Sequence, residues 1–239
     1  MKITYIHHSS FLVELETVTF LFDYTEGPLP QINDKIPLLV FASHRHGDHY
    51  SEKILELKKK HEKVRYILSD DISRERLPGD FLNAVVFMKP GETNVFSLDE
   101  EGNAGVQVLT LRSTDEGVAF LVKAEGKVIY HAGDLNNWRW EGEPENWNDH
   151  MAKQYSHEVD KLSGMYLDVA FLPLDPRQEN AFFLGFDEFM RKIRVNYGFP
   201  MHFWGNFSVI TRLKEMDVSA PYRERIVDIH KDGESFEME

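Results

Sequence analysis

Short apolar runs separated by turn residues dominate the first half of the chain. Runs of about four to eight residues rich in Val, Ile, Phe and Tyr predict β-strands. They cover residues 2–7, 10–16, 18–23, 37–42, 64–69, 84–88, 94–98, 105–112, 117–124 and 127–131. A helix is expected among them at 51–62, where the Ser51 side chain can cap the first turn. The first half is therefore predicted to be mostly β-sheet.

Apolar residues in the second half recur at spacings of three and four, which is the repeat of an amphipathic helix. This pattern predicts helices over residues 146–163, 186–197 and 210–216. Apolar runs between and after these helices predict buried strands at 169–174, 199–204 and 225–230. Strands that alternate with helices indicate a layered α/β protein. Because no repeat or linker divides the sequence, we expect a single domain over residues 1–239.

Composition narrows the chemistry that the chain can perform. The 239 residues include no cysteine, and 27 Lys and Arg against 40 Asp and Glu give a net charge of −13. The lack of cysteine excludes disulfides, thiolate zinc sites and iron–sulfur clusters, so a metal must be bound through nitrogen and oxygen. The acidic balance argues against a nucleic-acid partner, which needs a basic face.

The opening residues 1–23 lack the basic, apolar and small-residue regions of a signal peptide. No apolar run approaches the roughly 18 residues of a membrane helix. We therefore expect a cytoplasmic protein that acts on a small molecule, without a membrane partner. The sequence makes no prediction of the oligomeric state.

Four candidate metal ligands lie within six residues, between a predicted strand and a predicted helix: His44, His46, Asp48 and His49. A loop held between rigid elements is typical of functional sites. Imidazole and carboxylate suit a borderline ion such as Zn²⁺, although Mn²⁺ and Fe²⁺ accept the same ligands. Gly47 is expected to bend the loop so that His44 and His46 aim at one point and Asp48 and His49 at another.

This strand, His-x-His-x-Asp-His, helix order resembles the metal-binding signature of the metallo-β-lactamase superfamily. The segments YHAGDLN and FPMHFWG are similar to its later strand-ending motifs, here at Asp134 and His202. The opening YIHHSSFLVEL and the following TFLFD resemble the lactonase-like branch that contains ascorbate-phosphate lactonases, which places His8 and Asp23 near the site. The resemblance implies an α/β (α+β) fold, a four-layer αββα sandwich with the site at the edge of two sheets.

The resemblance also implies a role for each candidate ligand. His44 and His46 would hold a first metal, and His49 and His202 a second, with Asp134 between the two. Asp48 would be a ligand of the second metal and would orient the attacking hydroxide. The implied cofactor is one or two Zn²⁺ ions.

The sequence departs from the superfamily pattern at one ligand. The superfamily usually has a third histidine for the first metal about twenty residues before the bridging aspartate, and here residues 111–117 contain none. Asp115 is expected to replace it, because it follows a predicted strand at the matching position. His131 is expected to orient a ligand or to pack beneath the site.

The mechanism implied by the resemblance is hydrolysis of a small ester, lactone or phosphoester by a metal-activated hydroxide, since a bound ion lowers the pKa of water to about 7. Two alternatives stay open: a metal-dependent phosphodiesterase or nuclease, and a non-catalytic metal-binding module with a degenerate first site.

The residues expected around the ligands fall into three roles. Asp23 would accept an imidazole N–H, Trp138 and Trp140 would line the pocket while Trp147 packs its helix, and Arg177 or Arg112 would bind an anionic group.

Overall fold

The computed structural model describes residues 1–98 and 105–239, and these residues form two β-sheets. The strands of the first sheet are β1 (Lys2–His7), β2 (Ser10–Glu14), β3 (Thr19–Phe22), β4 (Leu38–Ala42), β5 (Val64–Ser69) and β6 (Val85–Met88), joined at one edge by the late strand β13 (Ser235–Glu237). The strands of the second sheet are β7 (Thr93–Ser97), β8 (Gly105–Arg112), β9 (Val118–Ala124), β10 (Lys127–His131), β11 (Tyr166–Pro173) and β12 (Arg194–Met201). Their spatial orders are β13-β1-β2-β3-β4-β5-β6 and β12-β11-β10-β9-β8-β7.

Three α-helices and several 3₁₀ turns complete the described chain. The α-helices are α1 (Glu145–Asp160), α2 (Leu184–Lys192) and α3 (Ser208–Glu215). The 3₁₀ turns are Glu52–Lys59, Arg74–Arg76, Gly79–Ala84, Pro176–Ala181, Asp217–Ser219 and Arg223–Arg225. Among the described residues, no helix combines the length and apolar character needed to cross a bilayer.

Side chains alternate between the two faces of each strand, and this alternation builds the layers. In the first sheet, Phe22 and Phe41 face the second sheet, where Phe41 meets Phe120 at a ring distance of 5.1 Å. Their neighbours Leu21 and Val40 belong to a separate cluster with the 3₁₀ turn at 52–59. The first sheet therefore buries both faces.

The second sheet is also covered on both faces. Tyr130 of β10 stacks on Phe189 of α2 with a centroid distance of 4.8 Å. The next residue, His131, points the other way and lies parallel to Phe22 of the first sheet, 5.0 Å away. Helix, sheet, sheet and outer turns thus form the layered α/β arrangement that the strand and helix pattern predicts.

Some predicted elements differ in the structure. The helix predicted over 186–197 ends at Lys192, and β12 begins two residues later. Parallel pairing of β12 with β11 places Tyr197 opposite Val169, so long-range pairing overrides the helical spacing there. The helix predicted at 51–62 is a 3₁₀ turn whose cap, Ser51, accepts from the Lys53 amide.

One prediction near the C-terminus was wrong, and one strand there was missed. The segment 225–230 forms no strand in the described structure, and Ile226 makes only an isolated bridge to Gly198. The strand at the C-terminus is instead β13, which pairs antiparallel with β1. Its three residues are too few to produce a readable alternation, so the sequence pattern missed it.

Candidate metal centre

The candidate ligands lie where strands of both sheets end at one shared edge. The loop after β4 carries His44 to His49, the turn between β1 and β2 carries His8, and Asp134 and His202 follow β10 and β12. The amide of His202 donates to the carbonyl oxygen of His8 at 3.1 Å, which joins the two sheets at the site. Segments nearly 200 residues apart in sequence therefore meet in one cluster.

Close backbone approach at Gly133 brings Asp134 next to the histidine loop. Gly133 has φ of +52°, and a Cβ built there would lie 2.7 Å from the Ser43 Cβ. A side chain at this position would push β10 away from the loop, so glycine is required.

Gly47 was expected to bend the histidine loop. Its φ is not positive, and a Cβ there would meet nothing within 4 Å. The loop bend does not depend on it.

The structure divides the ligands into two groups of four, each with one nitrogen or oxygen per residue and all such atoms within 4.8 Å of one another. We call His8, Asp48, His49 and His202 the inner group, and His44, His46, Asp115 and Asp134 the outer group. The three inner histidines are each at most 4% exposed. In the outer group, the side chains of His46 and Asp115 are 43% and 44% exposed.

His8 was expected near the site without a ligand role. Its Nε2 lies 3.4 Å from the Asp48 Oδ2, within the inner group. It also has φ of +51°, as His202 has +62° and Asp23 +43°. Left-handed backbone is costly for residues other than glycine, and its concentration here is typical of functional sites.

Asp134 lies between the two groups. Its Oδ2 is 3.5 Å from His44 Nε2 in the outer group. Its Oδ1 is 3.1 Å from His49 Nε2 and 3.4 Å from His202 Nε2 in the inner group. One carboxylate therefore presents an oxygen atom to each group.

Asp115 and its neighbour Glu116 both approach His46. Asp115 Oδ2 lies 3.5 Å from His46 Nδ1, and Glu116 Oε2 lies 3.4 Å from His46 Nε2. Asp115 is the member of the outer group, while Glu116 also forms an ion pair with Arg45. A carboxylate oxygen thus occupies the region for which the sequence offered no histidine.

Two buried carboxylates contact the Nδ1 atoms of two histidines of the inner group. Asp23 Oδ2 lies 2.7 Å from His49 Nδ1 and accepts from the Ser43 hydroxyl at 2.6 Å. Asp175 Oδ2 lies 3.1 Å from His202 Nδ1. Such contacts orient an imidazole so that its Nε2 lone pair points to an ion.

His131 lies beneath the cluster and outside both groups. The Gly133 amide donates to its Nδ1 at 3.1 Å, which places the ring proton on Nε2. Nε2 then donates to the Ser9 carbonyl at 2.9 Å. His131 therefore joins the turns that carry Asp134 and His8.

The electrostatics of the cluster keep the Asp134 carboxylate ionised. Burial favours the neutral acid of Asp134, but the neighbouring His49 and His202 hold its pKa well below the usual range. Burial also disfavours the charge of His202, yet Asp134, Asp175 and Asp48 raise its pKa to about 9. Burial, assisted by His49, lowers the pKa of His44 to about 4.

The donor atoms fit a small divalent ion. The Nε2 atoms of His8, His44, His49 and His202 are buried and have no hydrogen-bond partner among the residues that the structure describes. Tetrahedral ligands at about 2.0–2.1 Å from an ion are roughly 3.4 Å apart. The Asp48 Oδ2 lies 3.4, 3.6 and 3.8 Å from the Nε2 atoms of His8, His202 and His49. The residues therefore suit metal ligation better than hydrogen bonding to one another.

Two cavities adjoin the cluster. One, of about 580 Å³, is lined by outer-group residues together with Trp138, Trp140, Trp147 and Arg177. The other, of about 550 Å³, is lined by His8, Asp48 and Lys53 among others.

Trp147 was expected only to pack its helix, yet it is 37% exposed and faces the first cavity. Arg112 lies in a different cavity, away from the ligands.

Sequence reasoning missed Asp175 and Trp204. Asp175 is fully buried and binds both His202 and Arg177, and the signal for it was its place directly after the buried run 169–174. Trp204 has φ of +53° and lies 4.5 Å from the His8 ring. Only its position two residues after His202 pointed to the site.

The two facing sheets and the His and Asp cluster at their shared edge define the metallo-β-lactamase class of fold, as expected. Residues 2–145 match the family described as Beta-lactamase superfamily domain. Because this match covers more than half of the chain, the chain belongs to that family.

Individual relatives agree with this assignment. A UPF0173 metal-dependent hydrolase of Opitutus terrae is 29% identical over 146 residues, covering 56% of this chain and 63% of that protein. A second, from Carboxydothermus hydrogenoformans, is 28% identical over 140 residues and covers 56% and 62%. The chain thus matches less than two thirds of the length of either relative.

Solved structures share the fold at lower identity. Igni18, a metallo hydrolase of the archaeon Ignicoccus hospitalis, superposes with a TM-score of 0.64 at 19% identity, covering 100% of this chain and 99% of that one. At this identity the likeness shows the fold alone. The superfamily is established, and the lactonase-like branch stays a prediction.

Proposed function

We propose that this protein is a metal-dependent hydrolase that uses two zinc ions to cleave a small ester, lactone or phosphoester. The observation that carries the proposal is the position of Asp134, whose two oxygen atoms face the inner and the outer group separately. With ions bound, Asp134 would offer one oxygen atom to each of them. Two-ion sites of this kind support hydrolysis, because both the attacking and the leaving oxygen are stabilised.

The ligand sets follow from the two groups. His8, Asp48, His49 and His202 would hold one ion, and His44, His46, Asp115 and Asp134 the other. When bound, such ions lower the pKa of water to about 7 and polarise the carbonyl or phosphoryl oxygen under attack. Nitrogen and carboxylate ligands suit zinc, and the same set accepts manganese or iron.

Asp48 takes part in the reaction as well as in ligation. Its side chain is 30% exposed and lines both cavities at the cluster. Burial would raise its pKa, but His202 and His8 keep that pKa well below the usual range, so the carboxylate stays ionised. It accepts a hydrogen bond from the attacking water and orients the oxygen lone pair towards the substrate.

The reaction consumes one water molecule. The water oxygen bonds to the acyl carbon or phosphorus, the bond to the leaving oxygen breaks, and that oxygen receives a proton. Asp23 and Asp175 take no part in proton transfer in this scheme. They hold His49 and His202 in the orientation that ligation requires.

The remaining expectations belong to the same proposal. We propose a small-molecule substrate, without a nucleic-acid or membrane partner, and a cytoplasmic location. The net charge of −13 supports the absence of a nucleic-acid partner, because a polyanionic substrate would be repelled.

The test compares the wild type with Asp134→Ala, and uses His157→Ala, an exposed histidine of α1, as the matched control. Zinc content is measured by mass spectrometry. Hydrolysis is measured on p-nitrophenyl acetate, a γ-lactone and bis-p-nitrophenyl phosphate. We expect the wild type and His157→Ala to bind two zinc ions and to hydrolyse at least one substrate, and Asp134→Ala to lose the outer ion and the hydrolysis.

Two results would overturn the proposal. Hydrolysis that persists in Asp134→Ala would show that the cluster is not the active site. Zinc binding by the wild type without hydrolysis of any of the three substrates would support a non-catalytic metal-binding module instead.

A further inference from the structure

We propose that the substrate carries a flat apolar group, an aryl ring or a fused ring system, next to the bond that is cleaved. The inference deepens the proposed hydrolase and rests on it for the reacting bond. It comes from the wall of the 580 Å³ cavity beside the cluster and not from the ligands themselves.

All four tryptophans of the chain line this one cavity: Trp138, Trp140, Trp147 and Trp204. The same cavity is also lined by His46, Asp48, Asp115, Asp134 and His202 of the two ligand groups. A substrate with its scissile bond at the ions therefore places its substituent against indole rings. A volume of this size is typical of small-molecule sites and accommodates a fused bicyclic ring.

Two of the four indoles, Trp147 and Trp204, are exposed, whereas Trp138 is 6% exposed and belongs to the core. Trp147 is 37% exposed and Trp204 is 50% exposed, and they are two of the five large apolar side chains that are exposed in the described part of the chain. Exposed aromatic surface concentrated in one concave site indicates an apolar ligand. An indole offers a flat face that favours stacking with another planar ring.

The aromatic wall is anchored to the proposed reaction centre. Trp138 and Trp140 lie nearly parallel, with an angle of 3° between their planes and 5.9 Å between their centroids. The Trp138 Nε1 donates to the Asp134 carbonyl at 2.8 Å. This stacked pair of indoles therefore begins beside the residue that would hold both ions, which sets an aryl group on the pair close to the reacting bond.

Polar groups in the wall argue against a polyhydroxy substrate such as a sugar. Outside the two ligand groups, the polar groups of the lining are Thr114, Arg177 and the indole N–H groups. The Thr114 hydroxyl already bonds to Asn136, and the Arg177 Nε bonds to Asp175, with its guanidinium 4.4 Å from the Trp204 ring. Few donors and acceptors of the wall therefore remain for the several hydroxyls of a sugar.

The test uses Trp140→Ala, because Trp140 lines the cavity but has no contact with a ligand side chain among those described. The matched control is Tyr166→Ala, an exposed aromatic at the far end of β11. Zinc content and the melting temperature of each variant establish that the fold and the metal centre persist. Trp140→Phe restores a flat ring and is expected to restore most of the lost function.

The first readout is kcat/KM on 2-naphthyl acetate, ethyl acetate and gluconolactone. Because these substrates differ in intrinsic reactivity, the ratio of wild type to variant is compared for each one. We expect Trp140→Ala to reduce kcat/KM about tenfold or more on 2-naphthyl acetate, the size of an aromatic stacking loss, and less than about twofold on the other two. Tyr166→Ala is expected to change none of them.

The second readout is binding of 2-naphthoate by calorimetry, with acetate as the control for carboxylate binding at the ions. We expect 2-naphthoate to bind more tightly than acetate, and Trp140→Ala to remove that difference. Equal binding of the two carboxylates, or equal losses on all three substrates, would overturn the inference while leaving the hydrolase proposal intact. Trp140-dependent binding of 2-naphthoate without any hydrolysis would support the aryl site and overturn the proposed reaction.

Discussion

The inner and outer ligand groups use the same residue types but are built in different ways. The inner histidines are buried, and two of them are held through Nδ1 by the buried carboxylates Asp23 and Asp175. The outer group includes two side chains that are more than 40% exposed, His46 and Asp115. Because these histidine side chains are already oriented before an ion binds, they lose little conformational entropy on binding. We therefore expect the inner ion to bind more tightly than the outer ion.

The largest expected difference between the groups is in how much each one contributes to the stability of the metal-free protein. His202→Ala removes a buried cation from among Asp48, Asp134 and Asp175. Leaving buried carboxylates without a partner costs about 3 kcal/mol of unfolding free energy, or roughly 6–12 °C in Tm for a chain of this size. His46→Ala, at an exposed position, is expected to leave Tm within about 2 °C.

Thermal unfolding in the presence of a chelator measures both variants. Equal Tm values for His202→Ala and the wild type would contradict the view that this histidine compensates buried charge. Zinc titration of the same proteins should show the tight step lost in His202→Ala and the weak step lost in His46→Ala.

The next largest effect concerns the carboxylate behind an inner histidine. Asp175→Asn removes the charged acceptor of His202 Nδ1. Loss of such a partner weakens metal binding by about 10–100-fold. We expect the inner affinity to fall by this amount and the outer affinity to stay unchanged, as measured by competition with a fluorescent chelator.

Asp187→Asn is the matched control, since Asp187 bonds to Arg191 and Tyr222 away from the ligands. A fall in the outer affinity in Asp175→Asn would show that the two groups are not independent.

The pH dependence of zinc binding should also separate the groups. A pKa of about 9 means that His202 keeps its second proton at neutral pH, and an ion must displace it. His44, with a pKa of about 4, has no second proton to release. The inner affinity is therefore expected to rise by about tenfold per pH unit for each displaced proton up to pH 9, with no such contribution from His44.

Calorimetry in buffers of different ionisation enthalpy counts the released protons. Proton release at pH 7 in the tight step is the expected result. A tight step that releases no proton would contradict the raised pKa of His202.

The smallest expected effect is at Asp115. Burial and the neighbouring Asp134 raise its pKa, so its charge is unfavourable without an ion. Asp115→Ala should therefore leave the metal-free protein as stable or slightly more stable, while the outer affinity falls about tenfold. Glu116→Gln is the comparison, because Glu116 also approaches His46. If Glu116→Gln causes the larger loss of affinity, Glu116 and not Asp115 completes the outer group.

Most strands could be predicted because alternation and β-branched content are local properties of the sequence. β4 and β10, each buried along most of its length, were recognised from apolar runs alone. β12 was predicted to begin too late, because the spacing of Phe189, Ile193 and Tyr197 fits a helix equally well. Pairing with β11 decided between the two structures, and pairing is not encoded in a local window.

The candidate site could be predicted in part for the same reason. The four ligands at 44–49 are close in sequence, and strand-ending Asp134 and His202 follow recognisable apolar runs. His8 was placed near the site by the resemblance, but a ligand position could not be predicted, because it depends on a left-handed turn at His8 and on contact with the residue that follows β12. Asp175 was missed as a partner because only the packing of β11 beside β12 brings it to His202.

The sequence by itself determined the layered arrangement of strands and helices and the nitrogen and oxygen character of the site. Both depend on residue types and short spacings. Only the tertiary structure decided that His8 joins the inner group, which group is buried, and that four tryptophans line one cavity. These properties depend on where strand ends from distant parts of the chain meet, because burial and charge pairing are set by every segment packed around them.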